Sequence, residues 1–128
     1  MSTEDLSMTQ LNPNPRSYPE EAEHIKSYAR KITAELPELM KAFYDLSKSS
    51  SAPGALDTKT KELIALAIGV ATHCDGCIAF HTSGALKAGA SQEEIMETLG
   101  VNVLMGGGPA LMYATHVVEA MEQFQPAN

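Results

Sequence analysis

Apolar residues recur at intervals of three and four along most of this chain, and this period limits its possible folds more than any other feature. The interval matches one face of an α-helix, whereas no segment requires the strict alternation of a β-strand. Clusters of Pro and Gly interrupt the period and mark where helices should end. The sequence therefore predicts an all-α fold with about six helices. They are expected at about residues 18–36, 37–48, 58–72, 74–88, 92–105 and 109–124.

Local capping signals place several of these boundaries. Asp57 suits the N-cap of the third helix, and Gly89 suits the C′ position after the fourth. The Ser-Gln-Glu-Glu run that starts at Ser91 has the pattern of a capping box and predicts the start of the fifth helix. The run from Gly106 to Pro109 should end that helix before a sixth begins. The stretch from Leu63 to Val70 is apolar on most sides, which predicts a buried central helix.

Length and charge restrict the number of domains and the partners. A chain of 128 residues can build one core, and we expect no second domain. Residues 1–17 contain Ser, Thr, Asn and Pro without a sustained period, which predicts an irregular N-terminal arm before a helical domain at 18–128. The net charge is −7, and no cluster of Lys or Arg compensates for it. Nucleic acid is therefore an unfavourable partner.

The sequence also argues against a membrane or a secreted location. The longest apolar stretch, Leu63 to Ala71, falls well short of the ~20 residues that span a bilayer. The segment Met1 to Asp5 is acidic where a secretion signal would be basic and then apolar. We therefore expect a cytoplasmic protein, in which two cysteines need a reason other than a secreted disulfide scaffold.

One short segment contains both cysteines and two of the four histidines, and its sequence is HCDGCIAFH. If a helix begins near Cys74, then Cys74, Cys77 and His81 share one face, with Cys77 and His81 one turn apart. The helix N-terminus favours a thiolate over a thiol, and the imidazole can accept the thiol proton. The pattern therefore predicts a redox-active cysteine pair.

A thioredoxin-like interpretation of Cys-x-x-Cys needs a strand before the motif, and here the motif has predicted helices on both sides. Glu62 precedes the motif by one helix, and the run ALKAGASQEEI, from Ala85 to Ile95, follows it. These residues resemble the AhpD-like, carboxymuconolactone decarboxylase superfamily, whose all-helical members carry a Glu before a Cys-x-x-Cys-x-x-x-His element. The resemblance covers roughly Leu56 to Met105 and implies a single AhpD-like helical domain.

The resemblance also implies a proton relay and the reduction of a hydroperoxide or a disulfide. Glu62 would orient or deprotonate His81, and His81 would activate a cysteine. The helix dipole by itself favours Cys74 as the nucleophile, whereas the relay and the resemblance favour Cys77, which we assign. The sulfenic acid formed on Cys77 would be captured by Cys74 as a disulfide, which a dithiol donor would reset. No cofactor and no metal are expected, and lactone decarboxylation is the weaker candidate because members with that activity lack the cysteine pair.

Three other interpretations stay open. Cys74, Cys77 and His81 could bind zinc with His73 or Glu62 as the fourth ligand, although a structural site would usually need a second ligand pair and the chain has no further cysteine. The cysteines could instead be inert buried thiols. The whole chain could also be a non-enzymatic helical binding or thiol-buffering module. The other histidines are predicted to lie on a polar helix (His24) and to be a packing residue (His116).

The apolar helix surface exceeds what six short helices can cover. Leu63 to Val70 and Leu99 to Met105 are apolar nearly all round, so part of this surface should meet another subunit. The family resemblance implies trimers or hexamers and places the cysteine pair near a subunit boundary. We therefore expect a homo-oligomer.

Overall fold

The computed structural model describes residues 16–125, and the chain within that range forms five α-helices and no strand. The all-α prediction is confirmed, whereas the expected number of about six helices is one too many. Residues 1–15 of the predicted arm and residues 126–128 of the predicted domain lie outside the described range. The helices are α1 (Tyr18–Glu35), α2 (Pro37–Ser51), α3 (Thr58–Ala71), α4 (Asp75–Lys87) and α5 (Gln92–Phe124).

The difference in number lies in α5, where the predicted break at Gly106 to Pro109 is a kink and not a loop. Within α5 the backbone leaves the helical region at Gly107, with φ 63° and ψ −144°. Glycine reaches this conformation without a steric penalty, so a single residue redirects the chain. Pro109 then falls in the first turn after the kink, where its missing N–H costs little. The fifth and sixth predicted helices therefore meet at this kink and are counted together as the single element α5.

The predicted caps are confirmed. The Asp57 side chain accepts a hydrogen bond from the Thr60 N–H at 2.7 Å at the start of α3. Ser91 and Glu94 exchange the two bonds of a capping box, 3.1 Å to the Ser91 hydroxyl and 2.9 Å to the Glu94 carboxylate. Gly89 follows α4 with a φ of 96°. The capping hydrogen bonds join residues three apart, and the conformation of Gly89 concerns that residue alone, so the local sequence is sufficient to specify all of these features.

The end of α2 was predicted too early. The sequence predicts an end at about residue 48, but the helix continues to Ser51. The hydroxyls of Ser50 and Ser51 donate to the backbone carbonyl of Ser47, at 3.1 and 2.8 Å. The side chains therefore bond within the last turn and do not compete with it.

The core forms where α3, α4 and α5 pack together, with the start of α1 against them. Its largest fully buried side chains include Tyr18, Leu66, Ile78 and Ile95. The outer face of α3 is not covered, because Ile64 and Ile68 are 45% and 58% exposed. The prediction of a buried central helix is therefore correct for one face of α3 and wrong for the other.

Helix α2 packs least well. All of it lies in the described range, and none of its residues is buried. It contacts α1 and, over a few residues, α3. Its apolar side chains, at the predicted helical spacing, face away from the core and are exposed: Leu39, Phe43, Tyr44 and Leu46.

Candidate functional site

The cysteine pair opens helix α4. Helix α3 ends at Ala71, and the chain reverses through His73, whose φ is 55°. Cys74 is the N-cap of α4, and its sulfur accepts the Cys77 N–H at 3.1 Å. Cys74 and Cys77 are joined by a disulfide with a Cα to Cα distance of 5.2 Å. Both residues are half-buried.

The second pair of predicted site residues also meets. Glu62 of α3 and His81 of α4 approach to 2.8 Å between Oε2 and Nδ1. Their side chains are 17% and 37% exposed, so solvent reaches the pair only partly. With Glu62 ionised, Nδ1 donates its proton to the carboxylate, and Nε2 is left as the basic nitrogen. This arrangement fixes the tautomer that a proton acceptor requires.

Helix geometry relates the two pairs. His81 follows Cys77 by four residues on α4, so both side chains lie on the same face one turn apart. Helices α3 and α4 are joined by a short turn and pack along their lengths, which brings Glu62 across to this face. All four predicted site residues therefore belong to the contact between α3 and α4.

A second polar cluster adjoins the cysteines, and we did not predict it from the sequence. Asp75 is the first residue of α4, directly after Cys74. Its Oδ1 is 2.7 Å from Nδ1 of His116 and accepts the Tyr18 hydroxyl at 3.1 Å. Its Oδ2 accepts a hydrogen bond from Nη1 of Arg16 at 3.1 Å. The side chain of His116, predicted to have only a packing role, is thus bonded to a residue between the two cysteines.

Burial and the charge of Asp75 make Tyr18 a neutral donor. The residue is fully buried, and burial raises the pKa of its hydroxyl well above the usual value of a tyrosine. The negative charge of Asp75 and the hydrogen bond to it raise this pKa further. The cluster therefore anchors the first turn of α4 to α1 and α5.

His73 belongs to an aromatic stack and not to the Glu62 and His81 pair. Its ring is stacked on Tyr113 with centroids 4.4 Å apart and planes 11° apart. Tyr113 in turn lies 4.7 Å from the ring of His116. The stack therefore connects the turn before Cys74 to helix α5.

Among residues 16–125, no group of three or more His, Cys, Asp or Glu side chains is placed to hold a metal ion. The same part of the chain contains no helix with the length and apolar character needed to span a membrane.

The structure thus combines an all-helical domain with a cysteine pair at a helix start and a hydrogen-bonded Glu and His beside it. Residues 37–120 match the carboxymuconolactone decarboxylase family, and the chain belongs to that family. The resemblance inferred from the sequence is therefore confirmed.

Several relatives agree with this assignment. An uncharacterised protein of Cupriavidus necator is 42% identical over 92 residues, which cover 72% of this chain and 79% of the relative. A carboxymuconolactone decarboxylase family protein from Legionella pneumophila has a crystal structure with a TM-score of 0.83 and 47% identity, covering 85% of this chain and 97% of that one. A family member from Thermotoga maritima, suggested to be involved in an antioxidative response, gives a TM-score of 0.71 at 29% identity, with coverage of 80% and 88%.

Proposed function

We propose that this protein is a thiol-dependent oxidoreductase that reduces hydroperoxides, with Cys77 and Cys74 as the reacting groups and Glu62 with His81 as a proton relay. One observation carries the proposal: the Cys74 and Cys77 disulfide opens the helix whose next turn holds His81 against Glu62. Two sulfurs that can change oxidation state thus lie on the same helix as an oriented base. The suggested antioxidative role of the Thermotoga maritima relative agrees with this chemistry.

The oxidative half-reaction starts from the dithiol. Nε2 of His81 takes the Cys77 thiol proton, and the thiolate attacks the distal oxygen of the hydroperoxide. The O–O bond breaks, His81 returns the proton to the leaving alkoxide, and Cys77 becomes a sulfenic acid. The Cys74 thiol then attacks the Cys77 sulfur, which forms the disulfide and releases water. One hydroperoxide is thereby reduced to an alcohol, and two thiols are oxidised.

The reductive half-reaction needs an external dithiol. One donor thiolate attacks the Cys77 sulfur, and Cys74 leaves as a thiolate. The Cys77 N–H that bonds to the Cys74 sulfur stabilises that negative charge at the helix N-terminus. The second donor thiol then releases Cys77, so the donor departs as a disulfide and both protein thiols are restored. A protein in the reducing cytoplasm, the predicted location, would meet such donors. In the opposite direction, the same kind of exchange would reduce a disulfide substrate: the Cys77 thiolate attacks one substrate sulfur and releases the first thiol, and Cys74 then attacks Cys77, which releases the second thiol and forms the protein disulfide.

Counting free thiols before and after one equivalent of hydroperoxide tests the proposal. The reduced protein should lose two thiols and release one alcohol per chain, and a dithiol should restore both thiols. An unchanged thiol count would contradict the proposal and leave a non-enzymatic module. Thiols that are already blocked before hydroperoxide is added, and that a zinc chelator frees, would instead favour a metal site.

Two cysteine variants separate the roles of the sulfurs. Cys77→Ser should abolish turnover and the first oxidation, because it removes the attacking thiolate. Cys74→Ser should still permit one oxidation to a sulfenic acid, which a dimedone probe traps, because only the capturing thiol is missing. Equal and complete loss of the first oxidation in both variants would contradict the assignment of Cys77.

A further inference from the structure

Where α3 contacts α4, two of the candidate site residues each lie against a glycine of the other helix. Glu62 of α3 lies against Gly84 of α4, and Cys77 of α4 lies against Gly69 of α3. The two residues on each helix are seven positions apart, which is close to two turns. The two helices therefore run antiparallel, with one functional residue and one glycine contributed by each.

The space at Gly84 is already filled by the Glu62 carboxylate. A Cβ at position 84 would lie 2.5 Å from Oε2, 2.9 Å from Cδ and 3.3 Å from Oε1 of Glu62. Oε2 is the same oxygen that bonds to Nδ1 of His81. A methyl group at position 84 and the observed carboxylate position therefore exclude each other.

Gly69 provides a similar space for the sulfur-bearing residue. A Cβ at position 69 would lie 3.0 Å from Cβ of Cys77 and 3.6 Å from its backbone carbonyl carbon. These atoms belong to a helix backbone or are attached directly to it, so they cannot rotate away as a long side chain can. The absence of a side chain at Gly69 thus sets how closely the first turn of α4 approaches α3.

We propose that Gly84 is a positioning residue for the relay, because its missing side chain creates the notch in which the Glu62 carboxylate meets His81. This inference rests on the proposed function in so far as the relay activates Cys77. A side chain at position 84 would move the carboxylate away from Nδ1, and His81 would lose the partner that fixes its tautomer. The thiol proton of Cys77 would then be removed at a higher pH.

The first test measures Cys77 alone. In a Cys74→Ser background Cys77 is the single thiol of the chain, so iodoacetamide alkylation at several pH values reports its thiolate fraction. Gly84→Ala should move this profile to higher pH by about as much as Glu62→Gln does. At a pH well below the thiol pKa, a pKa that is higher by about one makes alkylation about tenfold slower. In a Glu62→Gln background, Gly84→Ala should move the profile no further.

Two further readouts separate positioning from general destabilisation. The ¹⁵N chemical shifts of the His81 ring should report a fixed Nδ1–H tautomer in the parent and a mixture in Gly84→Ala. Gly100→Ala serves as the matched control, since it lies within α5 and no described atom is within 4 Å of its added Cβ. This control should change neither the alkylation profile nor the His81 chemical shifts.

A stability cycle keeps the test informative if Gly84→Ala folds poorly. In the parent, Gly84→Ala should lower the urea midpoint, because the methyl group and the carboxylate compete for one space. In a Glu62→Ala background the same change should raise the midpoint, since the space is free and Ala favours a helix. Equal effects in both backgrounds, or an unchanged alkylation profile, would overturn the role of Gly84. If Glu62→Gln alone leaves the profile unchanged, the relay is wrong, while the cycle still decides whether the notch exists.

Discussion

At the scale of single residues, helix α4 contributes one residue to each of two hydrogen-bonded pairs of a histidine and a carboxylate. Glu62 holds His81 one turn beyond Cys77, whereas Asp75 holds His116 beside the helix start. Asp75 also accepts bonds from Tyr18 and Arg16, so its charge is shared among several donors. The first pair is suited to proton transfer and the second to anchoring the helix start.

The relay makes a prediction for the pH dependence of the thiol. Both substitutions are made in the chain that keeps both cysteines, and each variant is reduced before alkylation. Glu62→Gln and His81→Ala should each move the pH profile of thiol alkylation to higher pH without unfolding the protein. The physical reason is the loss of an oriented base next to Cys77. Circular dichroism provides the check on folding, and an unchanged profile in both variants would mean that no relay operates.

Removing the buried hydroxyl of Tyr18 should weaken the fold. In Tyr18→Phe the donor to Asp75 is lost, which should lower the free energy of unfolding by about 1–3 kcal/mol at pH 7. Urea unfolding of the oxidised protein measures the change. Tyr28→Phe is the matched control, because Tyr28 is exposed on the same helix, and this variant should stay close to the parent. A Tyr18→Phe variant as stable as the control would contradict the anchoring role.

The raised pKa of Tyr18 gives this effect a pH dependence. The unfolded state loses the tyrosine proton near pH 10, while the folded state retains it to higher pH. The stability that Tyr18 contributes is therefore complete below pH 10 and falls as the pH rises above it. The difference in the free energy of unfolding between the parent and Tyr18→Phe should become smaller above pH 10. A difference that grows there would contradict a raised pKa of Tyr18.

At the scale of elements, the kink in α5 depends on one backbone conformation. Gly107→Ala should lower the free energy of unfolding by about 1–3 kcal/mol, because an L-residue is strained at φ 63° and ψ −144°. No described atom lies within 4 Å of the added methyl group, so backbone strain is the only expected cost. Thermal or urea unfolding gives the comparison with Gly100→Ala, which should instead stabilise by about 0.5–1 kcal/mol. A stabilising effect of Gly107→Ala would mean that the kink is not present in solution.

At the scale of the whole molecule, the apolar side chains that the described fold leaves uncovered indicate self-association. A helix such as α2, of 15 residues, is marginal without tertiary packing, yet it buries none of its residues here. Leu104 and Met105 of α5 are each 80% exposed. Such faces gain stability when a second copy covers them, and we propose a homo-oligomer, with the trimer or hexamer as the expected order.

Light scattering across a dilution series tests this assembly. We expect a mass that is a multiple of the 13.7 kDa chain. Phe43→Glu, on the exposed apolar face of α2, should lower the observed mass because it places a charge in the interface. Lys48→Glu in the same helix is the control. It changes the net charge by more than Phe43→Glu does but removes no apolar side chain, so the observed mass should stay unchanged. A stable, fully active monomer of the parent at micromolar concentration would defeat the proposal.

Part of this structure was predictable because its determinants lie within a few residues of each other. The helical period, the caps at Asp57 and Ser91, and the pairing of Cys74 with Cys77 all depend on spacings of about one turn. The position of Glu62 was inferred from the family resemblance, since 19 residues separate it from His81.

The remaining features depend on which segments the tertiary fold brings together. The bond from His116 to Asp75 joins residues 41 apart, and the bond from Tyr18 to Asp75 joins residues 57 apart. The notch at Gly84 exists only because α3 crosses α4 at that residue, and the exposed face of α3 exists because no described helix covers it. Hydrophobic period and capping chemistry act along the chain, so the sequence by itself determined the all-helical class, the capped helix starts and the cysteine pair. Packing acts between distant segments, so only the tertiary structure decided what surrounds them.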